Sequence, residues 1–321
     1  MSISKYKLAF LLFALPFLFV SCEDDEEEFT PSPQPTIYEI AEDDARFSVL
    51  ADAITRAGLE NTLRGSGTFT VFAPTDAAFQ DFLNATGFAD LDAVVAAVGE
   101  AGLRQILLYH VLGAEVESGD VTAGYVNTLA ETEEGSGDNL DVRISVTNGV
   151  QLNGSSTVIE TDISAINGII HVIDAVIAPL TISQFAKSDP SFSEFVNAAE
   201  AAEVNGTAGA VDSLLNLTSQ TYTVFVPTNE AFVAAQPVTS TLTAEELGNA
   251  LLYHAIGNAN ITSDEVPSGP VEMASGDDIT IDTSNGVVIT DGSGNQVTVI
   301  EVDIQTLNGV IHRIDGVMLA Q

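Results

Sequence analysis

"TVFAPTDAAF" runs from Thr70 to Phe79, and a near copy, "TVFVPTNEAF", runs from Thr223 to Phe232. In the first copy a β-branched and aromatic run, Thr70 to Phe72, stops at Pro74, which has no N–H to give to a central strand ladder. Thr75 or Asp76 can then accept from the orphan amides of a new helix, whose apolar face opens at Phe79. The copy offers Thr228 or Asn229 for the same duty. The phrase writes a strand-to-helix corner and contains no evident catalytic group. Its return says that the corner is built twice.

Other landmarks recur in the same order. "TIYEIAEDDARFS" from Thr36 returns as "TISQFAKSDPSFS" from Thr181, "LLYHVL" at 107–112 as "LLYHAI" at 251–256, and "NGIIHVIDAVIA" at 167–178 as "NGVIHRIDGVML" at 308–319. A period of about 145 residues exceeds that of solenoids and matches an independent domain. The expected organisation is a signal segment (1–21), an acidic, proline-rich spacer (22–35), and two tandem domains (36–180 and 181–321). No Gly/Ser-rich linker separates the two domains, so limited relative freedom is expected.

Of the 321 residues, 45 % are hydrophobic, as in folded proteins generally, while 46 acidic side chains face nine basic ones for a net charge of −37. That surface repels phosphate backbones and excludes nucleic acid as a partner; it favours cations or basic proteins. Near the start, Lys5 and Lys7 precede an apolar run from Leu8 to Val20 that is too short to span a bilayer as a helix, and Ser21 and the only cysteine, Cys22, come next. This reads as a secretory signal ending at a lone thiol. "FVSC" resembles the lipobox of bacterial lipoproteins, with Phe19 where leucine is common; the resemblance implies that Cys22 becomes the lipidated first residue of the mature chain. After it, "EDDEEE" and prolines 31, 33 and 35 form a stiff, charged spacer. The same run resembles the acidic export tag of lipoproteins displayed on the outer surface of some Gram-negative cells.

The repeated phrases resemble the fasciclin (FAS1) domain. "TVFAPTDAAF" and "TVFVPTNEAF" are similar to its first conserved box, "NGIIHVIDAVIAP" and "NGVIHRIDGVMLA" to its second, and Tyr109-His110 and Tyr253-His254 to its tyrosine–histidine pair. The resemblance covers residues 36–321. It implies an α+β fold of two tandem FAS1-like domains, each a β-wedge or sandwich with packed helices, serving adhesion rather than catalysis. In animal relatives the tyrosine–histidine region has been linked to integrin recognition, which would carry a partner-binding role onto Tyr109, His110, Tyr253 and His254.

The residues themselves pull against that role. Leu103, Leu107 and His110 fall at i, i+4 and i+7, as do Leu247, Leu251 and His254, so each histidine continues an apolar helical stripe. In the closing strands, alternation puts His171 with Ile169 and Ile173, and His312 with Val310 and Ile314; the other face carries Val172 in one copy and Arg313 in the other. All four histidines are best read as hydrogen-bonded core residues, and two per domain without a third ligand do not make a metal site. Asn148-Gly149 and Asn285-Gly286 mark hairpins. Asp291, Ser293 and Asn295 are spaced like part of a calcium loop, but the distal glutamate is not in place, and an Asp/Gly-rich turn is the better reading. Thr243 and Glu246 form a capping box.

No nucleophile elbow, C-x-x-C, H-E-x-x-H or phosphate-binding loop is present, so neither an enzyme nor a cofactor is expected. The function expected is a lipid-anchored envelope protein, an outer-membrane lipoprotein facing outward, that binds surface polysaccharide, matrix or a neighbouring cell's protein, with divalent cations as conceivable bridges. The alternative is a structural or sensory envelope protein binding a small hydrophobic ligand or a cation.

Overall fold

The computed structural model describes residues 34–320. The signal segment, Cys22 and the spacer up to Pro33 lie outside the described residues. The first repeat runs α1 (Ile37–Asp43), α2 (Ser48–Arg56), α3 (Glu60–Arg64), β1 (Phe69–Pro74), α4 (Asp76–Thr86), α5 (Leu91–Leu108) and β2 (Val111–Leu112). It continues with β3 (Gly124–Glu131), β4 (Asn139–Ser145), β5 (Gln151–Leu152), β6 (Ser156–Ala165) and β7 (Gly168–Ile173). The second repeat opens with α6 (Ile182–Ser188), α7 (Ser193–Ala201), a small hairpin of β8 (Glu203–Val204) and β9 (Thr207–Ala208), and α8 (Ala210–Leu215). Then come β10 (Tyr222–Pro227), α9 (Asn229–Thr239), α10 (Ala244–Leu252) and β11 (Ala255–Gly257). It closes with β12 (Gly269–Glu272), β13 (Asp278–Asp282), β14 (Val288–Thr290), β15 (Gln296–Thr306) and β16 (Gly309–Ile314).

Each repeat builds one seven-stranded sheet, in the order β2-β1-β7-β6-β5-β4-β3 and, in the second, β11-β10-β16-β15-β14-β13-β12. The two phrases that recur most closely are partners: β1 pairs in parallel with β7 and β10 with β16. Strands so placed are covered on both faces, which is why "GIIHVI" is apolar nearly throughout. Alternation along β1 sends Val71 and Ala73 into a core under the helices and Phe72 into a second core inside the bent sheet, with Tyr109, Leu140, Val142 and Ile173. Val172 lies in the helix-side core, so both faces of β7 are interior. In the second repeat Arg313 takes that position, half-buried over the Phe192 ring at 5.6 Å and paired with Glu301 at 2.6 Å.

The corner does more than its sequence showed. Thr75 caps its own helix, accepting from Ala78 N at 3.2 Å, and Thr228 does the same with Ala231 N at 3.1 Å. The next residue caps a different helix. Asp76 accepts from Val49 N at 2.8 Å at the start of α2, and Asn229 from Glu194 N at 3.0 Å at the start of α7; neither helix has a side-chain cap at its own N-cap residue. One phrase thus turns the chain and fastens two helices.

The closing phrase is a second fastener. Asn167 accepts from Ile37 N at 2.9 Å and donates to the carbonyls of Leu63 and Gly65, tying the start of α1 to the end of α3. Asn308 repeats this with Ile182 N, Leu215 O and Leu217 O. The glycine after each asparagine, Gly168 and Gly309, has φ of +144° or +141°, and a Cβ there would stand 2.0 or 1.9 Å from the carbonyl oxygen of Phe69 or Tyr222. Only glycine fits. The capping box of Thr243 and Glu246 and the hairpins at Gly149 and Gly286, with φ of 89° and 87°, are as expected. Asp291 closes a turn: it accepts from the amides of Ser293, Asn295 and Leu319 and from the Asn295 side chain.

Candidate functional site

The tyrosine–histidine pairs sit just past the helices that lead to them. α5 and α10 end at Leu108 and Leu252, the tyrosines are C-caps, and each histidine lies one residue beyond, not on the helical stripe expected of it. Its ring nevertheless folds back on the helix. His110 Nδ1 meets the Ile106 carbonyl at 2.8 Å, and His254 Nδ1 the Ala250 carbonyl at 2.7 Å, satisfying acceptors of the last turn. The other nitrogen, Nε2, accepts from Ile177 N in one domain and Met318 N in the other. An acceptor on one side and a donor on the other fix a neutral imidazole protonated at Nδ1. Burial pushes both histidines down to about 4.

The tyrosines reach the far side of the sheet. Tyr109 Oη donates to the Asp141 carbonyl at 2.6 Å and accepts from Asn153 Nδ2 at 3.0 Å; Tyr253 Oη donates to the Asp278 carbonyl and accepts from Gly292 N. Tyr109, His110, Tyr253 and His254 are 1, 2, 0 and 1 % exposed. In the folded chain these four side chains join helix to sheet, and a partner could touch them only after local opening.

His171 and His312 are tied into a different device. His171 Nδ1 accepts from Asp162 N at 3.3 Å and Nε2 donates to the Val116 carbonyl at 2.9 Å; His312 does the same with Asp303 N and the Ile261 carbonyl. Asp162 and Asp303 sit at φ of 63° and 61° within bulges of β6 and β15, and their carboxylates accept from the amide and hydroxyl of Ser118 and Ser263. Each histidine thus pins a bulge and a loop together.

A further set of polar groups that sequence reasoning did not single out lies between the two domains. Arg143, on β4, places Nε 2.9 Å from the Asp189 carboxylate and donates from Nη1 to the Ser188 carbonyl; the two ionic side chains are 17 and 6 % exposed. Tyr125, on β3, donates to the same carboxylate at 2.5 Å and sets its ring 5.6 Å from Phe185. Burial alone would raise the Asp189 carboxyl, but the Tyr125 hydroxyl, the Ser191 amide and the Arg143 guanidinium together hold it below its usual range. A second contact joins the sheets: Asp141 accepts from Gln305 N of β15 at 2.8 Å, and from Asn127 Nδ2 on its own side at 3.0 Å. Burial, with Asp303 and Glu301 nearby, pushes the Asp141 carboxyl up to about 7 against the pull of the Gln305 amide. Because Tyr109 holds the Asp141 carbonyl, the tyrosine of the first pair braces the strand that carries this contact.

Two α+β domains, each fastened by its own duplicated set of caps, are joined by buried polar contacts. The model of the fasciclin domain matches residues 45–179 and 190–320, and the chain belongs to that family. It is similar to the Synechocystis protein sll1735, 41 % identical over 143 residues that cover 44 % of this chain and 97 % of that one. It is also similar to the pig transforming growth factor-beta-induced protein ig-h3, 36 % identical over 147 residues, 46 % of this chain but 20 % of that longer protein. The fasciclin-like arabinogalactan protein CTB11 of Cercospora beticola aligns over both repeats, 27 % identical, with 86 % of this chain and 74 % of that one covered. Among solved structures, a FAS1 domain pair from the insect cell adhesion molecule Fasciclin I matches with a TM-score of 0.45 and 20 % identity over 88 % of this chain and 95 % of that one. No helix among the described residues is long and apolar enough to cross a membrane.

Proposed function

We propose that the chain is a cell-surface binding module rather than an enzyme: a lipid-anchored envelope protein, held by acylated Cys22 and facing outward on the outer membrane, that attaches the cell to surface polysaccharide, matrix or a neighbouring cell's protein. The observation that carries this reading is the pairing itself. Two fasciclin domains are held together by a buried ion pair and a strand-to-strand contact, so both would meet a repetitive partner in one fixed spacing. Fixed spacing on a single tether raises avidity when the partner's sites match it. The charge of −37 suits partners that are basic or bridged by divalent cations.

Cells lacking the protein should lose attachment, and binding of the purified full chain to a polysaccharide and matrix-protein panel, with and without calcium, should identify the partner class. Unchanged attachment together with an empty panel would reject adhesion. Cys22→Ala should release the protein from the membrane fraction; if the variant stays there, lipidation is not the anchor.

A further inference from the structure

The bent sheet of the first domain encloses a cavity of about 180 Å³ against Phe72, Leu112, Val116, Val121, Val126 and Ile144. Its wall is the segment between β2 and β3, which three sets of hydrogen bonds hold away from the sheet. Thr70 Oγ1 donates to the Ala114 carbonyl and accepts from Val116 N, His171 donates to the Val116 carbonyl, and Ser118 is bound to Asp162. A loop pinned at three points cannot collapse into the space it borders, so the cavity is preformed.

The lining also restricts what can enter. Of the uncharged polar lining residues, Thr122 is exposed, and the polar atoms of Thr70 and His171 are spent on the loop and the bulge, so the inner wall presents hydrocarbon and the neighbouring rings of Phe72 and His171. A sugar or a peptide backbone would lose hydrogen bonds to water there without replacement. The one charged lining residue is the exposed Asp120, and the protein's net charge disfavours anions at the mouth. An apolar cavity of about 150 Å³ holds one benzene ring, so this one takes a single ring or a branched chain of similar bulk.

We propose that this cleft is a binding site for a small amphiphilic amine, whose ring or branched hydrocarbon enters between Phe72 and Val126 and whose ammonium group meets Asp120. The site is independent of adhesion and belongs to the first domain. In the second domain the larger Ile261 stands in place of the lining residue Val116, each donating its amide to the equivalent threonine, Thr223 or Thr70.

The test uses the full chain with labelled valine and isoleucine methyl groups and three probes of one size: benzylamine, toluene and benzoate. Benzylamine should give saturable shifts at Val116, Val121, Val126 and Ile144, while benzoate binds at least about ten-fold more weakly. Asp120→Asn, a surface change, should weaken benzylamine several-fold and leave toluene unchanged. Val126→Trp, which fills the cleft, should abolish both. If benzylamine shifts none of these methyls in the wild type, or shifts them equally in Val126→Trp, there is no such site. If benzoate binds as well as benzylamine, or Asp120→Asn leaves benzylamine binding intact, the assignment to an amine is overturned.

Discussion

The two domains share their fasteners and differ at their joint. Asp44 and Asp189 hold the same position, each capping a short 3₁₀ turn, but Asp44 pairs with Arg46 two residues on, whereas Asp189 has Ser191 at that place. Its cation comes from the other domain, as Arg143. The exchange has no counterpart on the far side. The register of β12 with β13 puts Pro270 where the first domain has Tyr125, and Thr280 where it has Arg143. The second domain therefore offers no equal socket to a third copy. Residues that hold each domain together are duplicated, and those that hold the domains to each other are single, so the contact specifies one pairing in one order.

The sharpest way to break this comparison is to remove the same fastener from each domain. Asn308→Ala leaves the Ile182 amide and the carbonyls of Leu215 and Leu217 without their partner, and Asn167→Ala does the same in the first domain. Each should cost about 3 to 4 kcal/mol in urea unfolding of the full chain, because buried groups are left unpaired. Gly309→Ala, whose Cβ would meet the Tyr222 carbonyl, should cost at least as much. A large loss from one asparagine and a small one from its twin would show that the fasteners are not equivalent.

The joint comes next. Arg143→Ala strands a mostly buried carboxylate and should cost about 2 kcal/mol, whereas Arg46→Ala, at a pair open to solvent, should cost well under about 1 kcal/mol. X-ray scattering in solution should report a longer or more variable particle for Arg143→Ala and an unchanged one for Arg46→Ala. Equal unfolding losses, with identical scattering, would mean that Asp189 gains nothing from receiving its cation across the interface.

Titration sharpens the difference further. His110 and His254 titrate at about 4 in the fold against 6.5 for an open histidine, so each contributes stability that is complete above pH 6.5 and is lost as the pH falls toward 4. Asp141, raised from 3.8 to about 7, has the opposite sign: it retains a proton that the unfolded chain has shed, and its contribution, full in acid, disappears as the pH climbs to 7. The histidine contribution is duplicated, and that of the aspartate belongs to the joint alone. Asp141→Asn should steepen the rise of stability from pH 4 to 6.5 by up to about 1.4 kcal/mol per pH unit. An unaltered slope would remove Asp141 as a titrating group of the interface.

The duplicated half of the molecule was legible because it is written twice. Recurrence at similar offsets marked the corner, the hairpin glycines and the four histidines as structural, and periodicity placed the histidines among aliphatics. What it could not supply was the partner across space. Nothing near Asp76 announces that it caps α2, and nothing near Asn167 that it joins α1 to α3, since the partners lie 27 and 130 residues away in the chain. The repetition of these polar residues was the available signal. The joint left a fainter one: Arg46 gives way to Ser191 while the aspartate before it stays, and one of only nine basic residues appears at position 143. A difference between copies, more than their likeness, marked where they meet.

The smallest effect should be the most symmetrical. Thr75 and Thr228 begin α4 and α9 with nearly the same cap geometry, yet the helices differ: α4 carries Phe79 and Leu83 inward and ends at Gly87 in a left-handed conformation, while α9 holds Pro237 and exposes Val233 and Val238. If a cap acts only on the orphan amides of its own first turn, the rest of the helix is irrelevant, and Thr75→Ala and Thr228→Ala should each cost about 1 kcal/mol. If instead it anchors the whole helix against the sheet, the loss should be larger for α4, which has more to hold in place. Urea unfolding of the two variants side by side separates these cases, and costs differing by more than about 1 kcal/mol would show that the repeated corner acts differently in its two settings.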